Sequence, residues 1–223
     1  MELKHKEREM LLLKDELNQM WKLVISQLQK AKQSFLTNDV ELAREVVSRE
    51  KRVNAFELKI DSDCENYIAL YSPVAIDLRL TLSIIKISNT LERIADFSAA
   101  IARYVVDNHN TVADKKLIEE LQIAKMFDIT LTMLSDGFVA LDSENTKISG
   151  KIIGKDEEVD VIYHNSIDVL TKYMKEDNNR IPQGLNLLLL IRKIERIGDH
   201  CSNIVEEIVF YVDAKVLKHS HNC

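Results

Sequence analysis

The stretch LLLLIRKIERIGDHCSNIVEEI, Leu187 to Ile208, decides how the chain is read. Leu188, Ile191, Glu195, Asp199 and Ser202 follow one another at steps of three or four, so on a helix of about 3.6 residues per turn they form one ridge. The ridge begins apolar and turns acidic. Two carboxylates one turn apart repel each other by roughly a few tenths of a kcal/mol even when solvated, and burial raises that cost. A helix carrying such a pair along its core face needs a counter-charge, from an arginine or from a metal ion.

The stretch has a twin. Residues Leu82 to Val105 read LSIIKISNTLERIADFSAAIARYV, with Ile85, Ser88, Glu92, Asp96 and Ala99 in the same ridge positions. Working outward, an offset of 106 pairs Leu17 with Ile123, Met20 with Met126, Trp21 with Phe127, Ile25 with Leu131, Leu28 with Leu134 and Phe35 with Leu141. It also pairs Val46 with Ile152, Val47 with Ile153 and Val53 with Val159, whereas Glu92 and Glu195 are 103 apart. The second copy has therefore lost three residues after its second helix. Duplication on this scale determines the architecture.

Five Gly and two Pro in 223 residues, with 46% apolar residues, favour long helices with few turns. The periodicity predicts a first helix over about 4–35 and a second from about residue 40, entered through the capping residues Thr37, Asn38 and Asp39. Tyr71-Ser72-Pro73 ends the second. A third spans about 74–106, and after the polar linker 107–110 a fourth runs unbroken through Leu117, Leu121, Ile123, Phe127 and Leu134 to Leu141. Gly137 within it marks a tight packing contact. A fifth covers about 145–175 and the sixth follows the turn 176–184. The fold class is all-α: two tandem, sequence-related three-helix bundles of six long antiparallel helices, with repeats at 1–108 and 109–223.

The net charge of −6 argues against a broad nucleic-acid footprint. Cys64, Cys201 and Cys223 stand in no CxxC spacing, which fits a reducing compartment. With no signal-peptide core at the N-terminus and no apolar run long enough to span a bilayer, the expected location is cytoplasmic, without membrane insertion. Phosphate loops, nucleophile elbows and HExxH are absent.

In the second half, Asp156 and Asp160 lie four apart on the second helix and can face Glu195 and Asp199 on the third. The 106 offset places Glu50 and Asn54 opposite Glu92 and Asp96, so the first site is weaker by one charge. Oxygen donors without thiolates suit magnesium, manganese, calcium or iron, and zinc would need His200 to turn inward. The helices carrying these acids lack the Glu-x-x-His motif of di-iron bundles. The competing reading pairs these acids with Arg93, Arg192 and Arg196 in a solvated groove. His200 and Asn203 read as half-buried helix residues, and Asp77 as an acid at a helix start.

LERIAD (Leu91 to Asp96) and IERIGDHCSNIVEEI (Ile194 to Ile208), on a duplicated three-helix unit and with Asp77-Leu78-Arg79, resemble the PhoU family of phosphate-transport accessory and signalling proteins. The resemblance implies tandem three-helix bundles that hold metal through acidic pairs on the second and third helices. By position these are Glu50, Glu92 and Asp96 in the first half and Asp156, Asp160, Glu195 and Asp199 in the second. It implies divalent or transition metal ions, iron, zinc, manganese or magnesium. It further implies negative regulation of the phosphate-starvation response, between a phosphate ABC transporter (through its ATPase subunit) and a membrane sensor histidine kinase.

A non-catalytic adaptor is therefore the leading expectation. A metal-dependent phosphohydrolase, with Arg93 and Arg196 as a substrate clamp, and a ligand-free helical scaffold are the alternatives. Apolar side chains on polar faces, Tyr163 and Tyr173 among them, suggest a homodimer.

Overall fold

A computed structural model describes residues 2–110 and 114–216. Long amphipathic segments with few breakers give seven α-helices and, among the described residues, no strand. They are α1 (Glu2–Thr37), α2 (Val40–Tyr71), α3 (Ala75–Asn108), α4 (Lys115–Glu120), α5 (Ile123–Asp142), α6 (Ser149–Glu176) and α7 (Ile181–Asp213). Short 3-10 turns, Thr146–Ile148 and Asn178–Arg180, lead into α6 and α7. Cys223 lies outside the described residues.

The turns repeat the internal duplication. Asn38 and Glu144, 106 positions apart, both adopt left-handed backbone, with φ of 52° and 49°. Each is followed by a side-chain cap. The Asp39 carboxylate accepts from the Leu42 amide, and the Asn145 side chain accepts from the Lys147 amide. At the end of α2, Ser72 is a left-handed C-cap whose amide donates to the Ile68 carbonyl, immediately before Pro73.

The core shows two registers. Buried positions of α1 and α5 match at 106 (Leu17 with Ile123, Met20 with Met126, Trp21 with Phe127, Gln27 with Met133), and so do those of α2 and α6 (Val46 with Ile152, Val53 with Val159). Those of α3 and α7 match at 103: Leu91 with Ile194, Ile94 with Ile197, Ala95 with Gly198, Ala102 with Val205. Three residues are about 4.5 Å of helix rise, close to one turn. The second helix therefore sits almost one turn differently against the third in the two halves.

The expected unbroken fourth helix is two helices, α4 and α5, because Gln122 between them is left-handed (φ 51°). Leu117, Leu121, Ile123, Met126 and Phe127 are all buried. Residues two apart on a straight helix point about 200° from each other, so Leu121 and Ile123 can both reach the core only if the helix breaks between them. No glycine or proline announces this.

Central to the molecule is the antiparallel pair α3 and α7, one from each repeat. Arg79 Nε donates to the Tyr211 carbonyl (3.2 Å), Ser83 Oγ to the Glu207 carbonyl (3.3 Å), and Phe97 stacks on His200. A second tie joins α1 to α5, where the Trp21 indole donates to the Leu134 carbonyl at 3.0 Å. Gly137 is the close approach its position suggested. A Cβ there would stand 3.3 Å from the Trp21 ring. Asp77 at the start of α3 binds Lys6 at 2.6 Å, a structural role. Tyr163 and Tyr173 are half-buried against the core. No helix among the described residues is long and apolar enough to cross a membrane.

Candidate metal centre

Asp156 and Asp160 are four apart on α6, and Glu195 and Asp199 four apart on α7, so each pair occupies one helix face. Packing of α6 on α7 brings the two faces together. One oxygen each of Asp156, Asp160 and Asp199 lies within 4.8 Å of the others. Asp156 is buried and is oriented by the Ser202 hydroxyl, which donates to Oδ2 at 2.7 Å. Its other oxygen lies where a side chain on Gly198 would stand, 2.6 Å from an added Cβ. The glycine in E-R-I-G-D therefore makes room for a carboxylate of the neighbouring helix.

Glu195 lies beside the group, near Asp199 and Asp160. Its Oε2 is buried and accepts no hydrogen bond within the protein. Burial, then the charges of Asp199 and Asp160, push its carboxyl up to about 7, against the opposing pull of Arg196 and Arg192.

In the first repeat acids from a different turn of α2 face α3 more loosely: among the described residues only Asp156, Asp160 and Asp199 form a close triad. Burial, then Asp96 and Glu57, push the Glu92 carboxyl up to about 7. Glu57 is itself raised by burial, by Asp61 and by Asp96. Glu57 and Asp160 are 103 apart, as are Glu92 and Glu195. Glu50, expected here, binds the Arg103 guanidinium instead, and it is Glu57 that the packing sets against Glu92 and Asp96, with Asp61 one turn further along α2. The one-turn difference between the halves accounts for the substitution, since an offset of 106 describes α2 against α6 but not α2 against α3. Asn54, Glu57 and Asp61 follow at steps of three and four, and Asn54 Oδ1 and Asp61 Oδ1 are both buried without a hydrogen-bond partner.

Buried acceptor oxygens without donors carry a desolvation cost of roughly 1–3 kcal/mol each, and more when charged. A hard cation removes that cost, and both clusters offer only oxygens to it. Arginines take part of the charge from outside. Arg196 binds Asp199 at 2.9 Å and Arg93 lies 3.8 Å from Glu92. The guanidiniums that would clamp a phosphoester thus lie against the acids. His200 is half-buried and stacked on Phe97, with burial the main cause lowering its imidazole pKa.

The class these features define is a tandem pair of three-helix bundles with acids facing each other between the second and third helix of each, drawn into a close triad in the second. The chain matches the PhoU domain family twice, over residues 17–105 and 123–208. It belongs to the PhoU family. It is 36% identical over 197 residues to the phosphate-specific transport system accessory protein PhoU of Edwardsiella tarda, covering 88% of this chain and 80% of that protein. With the PhoU homolog 1 of Thermotoga maritima it shares 30% identity over 214 residues, 96% of this chain and 91% of the other. The crystal structure of PhoU from Pseudomonas aeruginosa superimposes with a TM-score of 0.89 at 28% identity, over 94% of this chain and 99% of that one. The phosphate transport system regulatory protein PhoU from Streptococcus pneumoniae gives 0.83 at 26%, over 96% and 99%. These relatives are named as accessory or regulatory proteins, not as enzymes.

Proposed function

We propose that this protein is a cytoplasmic, non-catalytic regulator of phosphate uptake and a negative regulator of the phosphate-starvation response. It links a phosphate ABC transporter, through the ATPase subunit, to a sensor histidine kinase. The names of its relatives support the transport and regulatory part of this reading.

The observation that carries the metal part is the convergence of Asp156, Asp160 and Asp199 beside the orphaned Glu195 oxygen. Asp156, Asp160, Glu195 and Asp199 would hold a divalent cation in the second repeat, and Glu57, Asp61, Glu92 and Asp96 in the first. Magnesium, manganese or iron fits oxygen donors of this kind. A bound ion supplies structural charge neutralisation. It fixes α6 to α7 and α2 to α3, and so the outer surface that the helices present to partners.

The test is a phosphatase-promoter reporter in cells lacking the gene and grown in ample phosphate. Constitutive expression is expected on deletion. The native gene restores repression, and Glu195→Gln with Asp199→Asn restores it poorly. Full repression without the gene would refute the regulatory reading, and full rescue by the double variant would refute a role for the cluster.

A further inference from the structure

The internal repeat relates two corners of the molecule, and among the described residues they are built differently. At the first, the ends of α5 and α7 meet the start of α1. There Glu144 Oε1 accepts from Lys14 Nζ at 2.9 Å and from the Tyr211 hydroxyl at 2.6 Å, and Lys14 lies 5.9 Å from the centroid of the Tyr211 ring. At the second corner, the ends of α1 and α3 meet α4 and the start of α5. The counterparts of Glu144 and Tyr211 are Asn38 and Asn108, by the offsets of 106 and 103. Asn38 donates to the His109 carbonyl (3.1 Å) and Asn108 to the Tyr104 carbonyl (2.9 Å). Two amides thus stand where the first corner has the Glu144 carboxylate and the Tyr211 hydroxyl.

The break at Gln122 is a further difference. Where α1 is unbroken at the first corner, the chain is split into α4 and α5 at the second, and a cavity of about 460 Å³ lies there. Phe35 and Tyr104, rings 6.0 Å apart, form its wall with Leu36, Ile118 and Ala124. Volume and lining fall in the range of small-molecule sites, about 300–1,000 Å³, mostly apolar with few polar groups. Two lysines and one acid, Glu119, border it. Lys125 is held by Glu158 at 2.7 Å, whereas no ion pair to Lys115 occurs among the described residues.

We infer that this cavity binds a small molecule with an apolar body and a single anionic group, the body between Phe35 and Tyr104 and the anion at Lys115. The site joins α3 of one repeat to α4 and α5 of the other, so its ligand bears on how the halves hold together. The inference does not rest on the metal centre.

A suitable probe is 8-anilinonaphthalene-1-sulfonate, an aromatic body with one sulfonate, titrated by fluorescence into the native full chain. One saturable site per chain is expected, with enhanced emission. Ala124→Trp, which fills the cavity, weakens binding about tenfold or more, and Lys115→Glu weakens it by several-fold. Lys115 is exposed, so its substitution leaves the core untouched, and unchanged circular dichroism and melting confirm that both variants fold. Absence of saturable binding to the native chain overturns the proposal, as does binding that survives both substitutions or Lys115→Glu alone.

Discussion

Phe97 and His200 stack across the join between the repeats, ring centroids 5.7 Å apart and planes 27° from parallel, and they are one and the same position of the two copies, 103 residues apart. Contact between equivalent positions places the internal twofold axis through this pair. Each ring follows directly on the ridge aspartate of its copy, Asp96 or Asp199, so the acid clusters flank the axis.

Removing the Phe97 ring should therefore be felt at His200. Burial is the leading cause that lowers the His200 imidazole below its ordinary value. Phe97→Ala admits water and should bring that pKa back up, read from the imidazole resonances in an NMR titration. The half-buried ring and its stacking contribute about 1–2 kcal/mol to stability. An unmoved His200 titration would contradict the placement.

Glu92 and Glu195 give the chain an unusual pH dependence. Both carboxyls are held up at about 7, against 4.5 for an ordinary glutamate. Between those values the folded chain keeps protons that the unfolded chain has released, so this contribution to stability falls as pH rises from 4.5 towards 7 and levels off above it. In chelator, the melting temperature should drop between about pH 5 and about pH 7.5, and Glu92→Gln with Glu195→Gln should flatten that slope. A divalent cation at neutral pH should restore the lost stability by binding only the folded state. A slope identical in the native chain and the double variant would show that these carboxyls are not responsible.

Gln27 is fully buried, and neither its amide nitrogen nor its amide oxygen has a hydrogen-bond partner. Its counterpart in the second repeat is Met133, equally buried. Gln27→Met keeps the shape and removes the unpaired dipole, and should stabilise the protein by about 1–2 kcal/mol in urea unfolding. A destabilised variant would imply a partner for the amide.

Gly198→Ala should act oppositely. The added Cβ would meet Asp156 Oδ1 at 2.6 Å and force that carboxylate off the Ser202 hydroxyl. A loss of about 1–2 kcal/mol is expected, together with weakened cation affinity in the second repeat. Ala95, the same position in the first repeat, already carries a Cβ, so Ala95→Gly should leave affinity there nearly unchanged.

The helices, the duplication and both registers were legible because buried positions recur at helical spacing on either side of two strong breaks, Thr37-Asn38-Asp39 and Tyr71-Ser72-Pro73. The split at Gln122 was not, since it arises from the demand that Leu121 and Ile123 face one core. The convergence of Asp156, Asp160 and Asp199 could be read from their spacing on two helices, with Glu195 beside them. In the first repeat, Glu50 was chosen by carrying one register across a join where the register changes. Applying the 103 offset to Asp160 points to Glu57, so the signal was present in the two registers taken together. Glu57 and Asp61 also repeat the E-x-x-x-D spacing of Glu92 and Asp96, a second cue in the same segment.

The central claim is that four acids from paired helices hold a cation in each repeat. Its most direct test is the manganese content of chelator-stripped protein dialysed against Mn(II), measured by elemental analysis in the native chain and three variants. Asp156→Asn with Asp199→Asn should remove the ions of the second repeat, Glu57→Gln with Glu92→Gln those of the first, and Glu50→Gln none. Equal content in all four proteins, or none above background in the native chain, would contradict the account.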